Sequence, residues 1–165
     1  MAVVAVKSTL ITNADATPVV LNSPRVDGAF EHVKVATAAI TSGDSVDSTY
    51  RMFRVPSNAV VTDLRIYAPD IGTTTIADIG LYAADGGAVV DANFFADALS
   101  LKDGALNGVD VLHEAAVFTI ANSGKELWDA LGLTSDPSVS YDVALTLTGA
   151  ADATGTVKLI GRYTA

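Results

Sequence analysis

The sequence predicts an all-β fold, an antiparallel β-sandwich of jelly-roll type with one or two short helices in the connections and an irregular N-terminal arm. Three observations carry that prediction. Apolar and polar residues alternate with a period of two along most of the 165-residue chain, the repeat of a half-buried strand. Turn signals punctuate the alternation: SGDS at 42–45, Asp85-Gly86-Gly87, Asp103-Gly104, Asn107-Gly108 and GAADATG at 149–155. Half of the residues are hydrophobic but only 7% are aromatic, so the apolar content is mainly Ala, Val, Leu and Ile, which suits thin packed layers better than a large aromatic pocket.

Residues 1–30 differ from the rest. They mix short β-branched patches with Pro18, Pro24 and the Asp27-Gly28 turn signal, and read as an edge strand followed by irregular chain or as an extended arm that packs on a neighbouring subunit. Residues 31–165 read as one jelly-roll-like β domain, and a chain of this length can bury a core without staples.

In HVKVATAAI (32–40), Val33, Val35, Thr37 and Ala39 share a face. In YRMFRV (50–55), strand parity sends Arg51 and Arg54 to opposite faces, and Pro56 stops the strand because it brings no N–H to a ladder. In VVTDLRIY (60–67), Val60, Thr62, Leu64 and Ile66 oppose Val61, Asp63, Arg65 and Tyr67. TIADIGLY (75–82) is a further strand. The stretch 91–104 predicts a short helix, because Phe94, Phe95 and Ala98 fall at helical spacing. AVFTIAN (116–122) predicts a strand. Ser123 and Glu126 form a capping-box pattern ahead of Leu127, Trp128 and Leu131, and Gly132 is a fitting stop, so a second helix is expected there with Trp128 packed over the edge of a sheet. YDVALTLT (141–148) and TVKLIGRY (156–163) are the last two strands, giving seven or eight in all.

The formal charge is −9, from 19 acidic and 10 basic residues, which argues against binding to nucleic acid or anionic membranes. Cysteine is absent, which removes disulfides, thiolate metal sites and cysteine nucleophiles. No signal-peptide pattern opens the chain, and no apolar run is long enough for a membrane helix. His32 and His113 stand far apart, outside any metal-ligand spacing, and neither the Asp44/Asp47 nor the Asp63/Asp70 pair fits a calcium loop. G-x-S-x-G, P-loop and dinucleotide patterns are absent. No catalytic residue, cofactor or metal is expected. What stands out is the placing of Arg51, Arg54 and Arg65, three of ten basic residues, on two successive strands. They serve either as solvated guards of strand edges or as a contact surface for carboxylates of an acidic partner.

STYRMFRVPSNAVVTDLRIYAPDIGTTTIADIGLYAADGGAVVDANFFADALSLKDG (48–104) resembles a family of small structural proteins, the capsid decoration or cement proteins of tailed bacteriophages, of the type found in Bordetella podoviruses. AVKSTLITNADATPVVLNSPRVDGAF (5–30), HEAAVFTIANSGKELWDALGL (113–133) and LTLTGAADATGTV (145–157) extend the resemblance over nearly the whole chain. It is a likeness of overall pattern, not of a catalytic motif. It implies a jelly roll without enzymatic activity, made in the host cytoplasm and placed on the outer capsid surface of the virion. Its partners would be the major capsid protein and itself, as a homodimer or homotrimer, with Arg51, Arg54 and Arg65 as candidate contacts. A phage tail, baseplate or glycan-binding jelly roll, with Tyr67 and Tyr82 as spare aromatics, is the alternative. A polysaccharide hydrolase, which needs two converging carboxylates, is a further one.

Overall fold

The computed structural model of the chain describes residues 6–85, 87–114 and 117–165. Eight strands occur among them: β1 (Glu31–Ile40), β2 (Thr49–Pro56), β3 (Val60–Ala68), β4 (Ile76–Ala83), β5 (Val89–Ser100), β6 (Leu106–Asp110), β7 (Ser140–Gly149) and β8 (Gly155–Thr164). They form two antiparallel four-stranded sheets, ordered β1-β8-β3-β6 and β2-β7-β4-β5. Successive strands mostly alternate between the sheets, so the chain wraps both layers together as a jelly roll. The predicted fold class is the one observed.

The alternation seen in the sequence is the alternation that fills the space between the sheets. Tyr141, Val143, Leu145 and Leu147 of β7 face inward, as do Val157, Leu159 and Tyr163 of β8 and Leu64 and Ile66 of β3. β7 and β8 are the inner strands that carry the longest unbroken pairings, and their burial on the core side is nearly complete.

Four expectations fail for one reason, the β-bulge, which adds a residue to one strand and resets its parity. In β3 a bulge between Val61 and Asp63 puts Val61, not Thr62, on the core face with Leu64 and Ile66 and leaves Thr62 exposed. Residues 91–104 are not a helix: most of them belong to β5, whose pairing with β4 jumps from Leu81↔Asp91 to Ile79↔Ala96. The bulged chain between those pairs turns both Phe94 and Phe95 inward, with ring centroids 4.9 Å apart, and Phe118 closes the cluster at 5.4 and 5.5 Å. Two adjacent buried phenylalanines mimic helical spacing, although here they belong to a strand. The same excursion lays the backbone of Asp91 and Ala92 on the outer side of Gly80, where a Cβ would lie 2.1 Å from the Asp91 carbonyl oxygen. Asn107-Gly108 is not a turn between elements but part of β6, where Gly108, at φ +71°, is the extra residue between Val109↔Ile66 and Asn107↔Tyr67. The fourth failure, in β2, concerns the arginines.

Residues 117–122 form no strand; Ile120–Asn122 is a single 3₁₀ turn, and Phe118 is held instead by its N–H to the Phe94 carbonyl at 3.0 Å. Ala116, the start of that expected strand, lies outside the described residues. Ser123 caps no helix. The helix here is shorter (Leu127–Ala130), Glu126 is its N-terminal boundary, and the Glu126 carboxylate binds Arg25 and Trp128 rather than a backbone N–H. Leu127 N–H and Trp128 N–H donate to the carbonyls of Ala59 and Ser57, so this helix plugs the β2–β3 corner, with Leu127 buried and Trp128 half-buried.

Residues 6–30 contain no strand. They hold one short helix, Thr9–Ala14, capped by the Ser8 side chain, that buries none of its residues. The segment is tied to itself by Lys7–Asp15 at 2.7 Å and by Asn22, whose amide donates to Asp27 at 2.9 Å and whose oxygen accepts from Asn13 at 2.8 Å. It is tied to the body by Arg25: the guanidinium donates to Glu126 at 2.7 Å, and the carbonyl accepts from the Thr164 hydroxyl at 2.7 Å.

Candidate contact site

β2 lies at the edge of its sheet, beside β7. Its pairing runs Arg51↔Ala144 and then Phe53↔Val143 and Arg54↔Asp142, so Met52 is an inserted residue. Simple alternation sends residues three apart to opposite faces. The bulge cancels that, and Arg51 and Arg54 emerge on the same outer face, which corrects the parity expectation. Met52 and Phe53 both lean on the core, the Phe53 ring filling the place where a Cβ on Gly161 would stand 2.3 Å away.

Both guanidinium groups converge on one carboxylate. Arg54 binds Asp142 in bidentate fashion, Nε to Oδ1 at 2.7 Å and Nη2 to Oδ2 at 3.2 Å, and Arg51 Nη1 reaches Oδ2 at 3.1 Å. Asp142 is nearly buried, whereas the Arg51 and Arg54 side chains are 38% and 57% exposed. The hydrogen bond from Arg54 is the main reason the Asp142 carboxyl lies below the usual carboxylate range, and the same bond raises Arg54. Arg54 Nη2 also donates to the Ala84 carbonyl at 3.0 Å, which ties the β4–β5 turn to the cluster. Arg51 lies 6.0 Å from the Tyr82 ring centroid and so close to Gly87 that a Cβ there would overlap its guanidinium. Two cations on one anion leave a local charge of about +1 on a chain of net charge −9.

Arg65 belongs elsewhere. β2 and β3 follow each other in sequence but lie in different sheets, so Arg65 emerges on the outer face of the first sheet. There it binds Asp63, two residues back on the same face, at 3.0 and 3.1 Å. Arg162 of β8 joins from the next strand, 3.6 Å from Asp63 and 3.1 Å from Glu31. Lys158 caps the Tyr67 ring at 3.9 Å. Asp63, Arg65, Tyr67, Ile160 and Arg162 line a shallow concavity on this face.

Sequence reasoning missed Asp142 and Arg162, the groups that complete these clusters. The i, i+2 spacing of Asp63 and Arg65 was legible as a pair on one face; Asp142 and Arg162 depend on strand order, which no local pattern contains.

The other chemistry-bearing residues have structural partners. Tyr82 is buried, its hydroxyl 2.6 Å from Thr146 Oγ1, and Tyr67 sits under Lys158, so neither is a free platform for a sugar. His32 stacks on Tyr163 at 5.2 Å, and His113 on Phe118 at 5.5 Å. Asp44 accepts the Tyr50 hydroxyl at 2.5 Å and the Thr41 N–H at 2.7 Å, bonds that lower its carboxyl; burial first, and then the bond to Asp44, raises the Tyr50 phenol. Among the described residues no group of three or more His, Asp or Glu could hold a metal ion, and no helix is long and apolar enough to cross a membrane.

The chain is similar in fold, over most of its length, to chains of two solved phage capsids. One is described as the capsid asymmetric unit of cyanophage Pam1, with a TM-score of 0.53 and 16% identity over 91% of this chain and 96% of that chain. The other is the capsid of Ralstonia phage GP4, with a TM-score of 0.50 and 19% identity over 84% of this chain and 86% of that chain. No protein-family model matches the sequence, and no curated protein does. Identities this low speak for a shared fold.

Proposed function

We propose that this protein is a non-enzymatic structural component of a tailed-phage virion that binds the outer surface of the capsid and cements neighbouring subunits of the major capsid protein. The observation that carries this reading is the two-way coverage with the Pam1 capsid chain: 91% of one chain lies on 96% of the other, so a chain of about this length, folded this way throughout, occurs within a capsid. A jelly roll alone hosts many functions. The acidity suits a position away from packaged DNA, and the absence of cysteine suits assembly in the reducing host cytoplasm.

Residues 1–30 act as the arm of this component and residues 31–165 as its single jelly-roll body. The protein works as a homodimer or homotrimer, so weak contacts to the shell are multiplied by symmetry. Arg51, Arg54 and Arg65 bind acidic groups of the shell. Arg51 and Arg54 suit this because each keeps guanidinium N–H groups beyond those given to Asp142.

The test is to add purified protein to expanded empty capsids that lack it, then pellet and image them. Ordered density at junctions between capsomers is expected. No binding, with the protein found on the tails of whole virions, would replace this reading with that of a tail component. Substituting Arg51, Arg54 and Arg65 together by alanine should reduce occupancy; unchanged occupancy removes them from the contact.

A further inference from the structure

We propose that the N-terminal face of the molecule, residues 6–39, is the surface on which a second copy of this chain docks, with the two β1 strands pairing antiparallel about Val35. This rests on the homo-oligomeric part of the reading above and names its surface.

Burial points to it first. Not one residue from 6 to 39 is buried; the first is Ile40. Ten of the eighteen large hydrophobic side chains exposed among the described residues lie in this quarter of the chain, including Leu21 at 89% and Phe30 at 92%. Scattered exposed apolar residues are ordinary, but a concentration of this kind marks an interaction surface. The segment is also held in shape without a partner, by the Lys7–Asp15 pair, the Asn22 network and the Arg25 anchor, so little ordering entropy opposes docking.

Charge identifies the occupant. Residues 1–40 contain three basic residues (Lys7, Arg25, Lys34) and three acidic ones (Asp15, Asp27, Glu31) and are neutral. The whole net charge of −9 therefore belongs to residues 41–165. Two such chains repel one another across every acidic surface. The neutral apolar face is where a second equally acidic copy approaches at least electrostatic cost. A basic partner would instead be drawn to the remainder.

The edge sets the geometry. β1 is the outer strand of its sheet and pairs with β8 over ten residues with no bulge and no proline. Proteins normally blunt such an edge, because it is a template for another strand. Centring two copies on Val35 keeps the faces in phase. It sets Val33 opposite Thr37 of the second copy and Lys34 opposite Ala36, so no charge meets a like charge. Centring on Lys34 would instead oppose the two lysines. Such a contact is isologous and closes as a dimer.

Sedimentation of the free protein, without capsids, is the experiment. A dimer is expected, with the double variant Val33→Asp, Val35→Asp raising its dissociation constant by about tenfold or more, since each side loses β-branched cross-strand pairs and gains opposed charges. Because the chain has no cysteine, Val35→Cys gives an independent reading: directly opposed positions on paired strands lie within disulfide reach, so oxidation should yield a covalent dimer, and Thr37→Cys should not. A monomeric wild type, a dimer indifferent to the aspartates, or a dimer that Val35→Cys does not cross-link would overturn the proposal. Capsid pelleting reads the cement role separately, so either reading can fail alone.

Discussion

The two ends of the chain treat the same kind of side chain in opposite ways. Along β7 and β8 the apolar residues of one face are sealed between the sheets, Leu145, Leu147, Val157 and Leu159 each at 2% exposure or less. Along β1, Val33 and Val35 alternate just as cleanly and stand in solvent. Periodicity is the same in both regions; the face that carries it differs. The apolar positions of β7 and β8 point at the opposite sheet, whereas Val33 and Val35 pair with Arg162 and Ile160 on the outer face of theirs, and it is Ala36, Ala38 and Ile40 that β1 turns inward. Period-two patterning therefore specifies a strand with an apolar face, and register against the neighbouring strand decides whether that face meets the core or is left outside.

If the body carries the stability and the N-terminal face does not, substitutions should separate the two regions sharply. The largest effect is expected at Gly80. A valine there must place its Cβ against the Asp91 and Ala92 backbone, which cannot yield without unzipping β5 from β4, so a loss of about 4 kcal/mol or more is expected in urea unfolding. A loss below about 1 kcal/mol would mean that β5 does not cross β4 as described.

Next in size is Asp142→Ala. It removes the anion shared by Arg51 and Arg54 and leaves both guanidinium groups facing each other across β2. Because the arginines are substantially exposed, water takes over much of their solvation, and about 1–2 kcal/mol is expected rather than the cost of a buried pair. Double-mutant cycles with each arginine should show coupling to Asp142 that falls as salt is raised. No coupling would return both arginines to the status of independent surface charges.

How much of this was legible beforehand divides along the same line. The sandwich and six of its eight strands could be read from alternation and turns, because those signals are local; β5 and β6 could not. Nor could the features that bulges create. The bulge at Met52 reversed the parity of the arginines, the excursion at Phe94 and Phe95 imitated a helix, and Gly108 looked like a turn. Each depends on a partner strand distant in sequence. Asp142, the centre of one cluster, is 88 residues from Arg54, a separation no motif search spans.

Smaller effects are expected at acid pH. Asp152 clasps the Thr73–Thr74 turn, accepting from the Thr73 N–H at 2.9 Å, the Thr73 hydroxyl at 2.5 Å and the Thr74 N–H at 3.3 Å. The Thr73 side-chain bond is the main cause that lowers its carboxyl from 3.8 to about 2. A depressed carboxyl stabilises the folded state above its unfolded value, and that contribution is lost as pH falls through the folded one. Asp152→Ala should therefore be less stable than wild type at neutral pH, with the gap closing between about pH 4 and pH 2. A gap that persists unchanged at pH 2 would assign the loss to packing instead of to the ionised carboxylate.

The smallest effect is expected where the sequence looks most hydrophobic. Phe30 is almost fully exposed, so replacing it by serine removes little contact from the folded monomer. At concentrations where the protein is monomeric, stability should change by no more than about 0.5 kcal/mol, the range of surface substitutions. A phenylalanine of the Phe94 cluster replaced in the same way should cost about 3–5 kcal/mol. With β1 strands paired about Val35, Phe30 falls opposite Ile40 of the second copy, and the same serine should weaken association. A variant neutral in the monomer and damaging only to the dimer would separate the residues that fold this chain from those that join it to another. Equal losses in monomer and dimer would mean that Phe30 packs on its own body, and the contrast between the two regions would narrow to β1 alone.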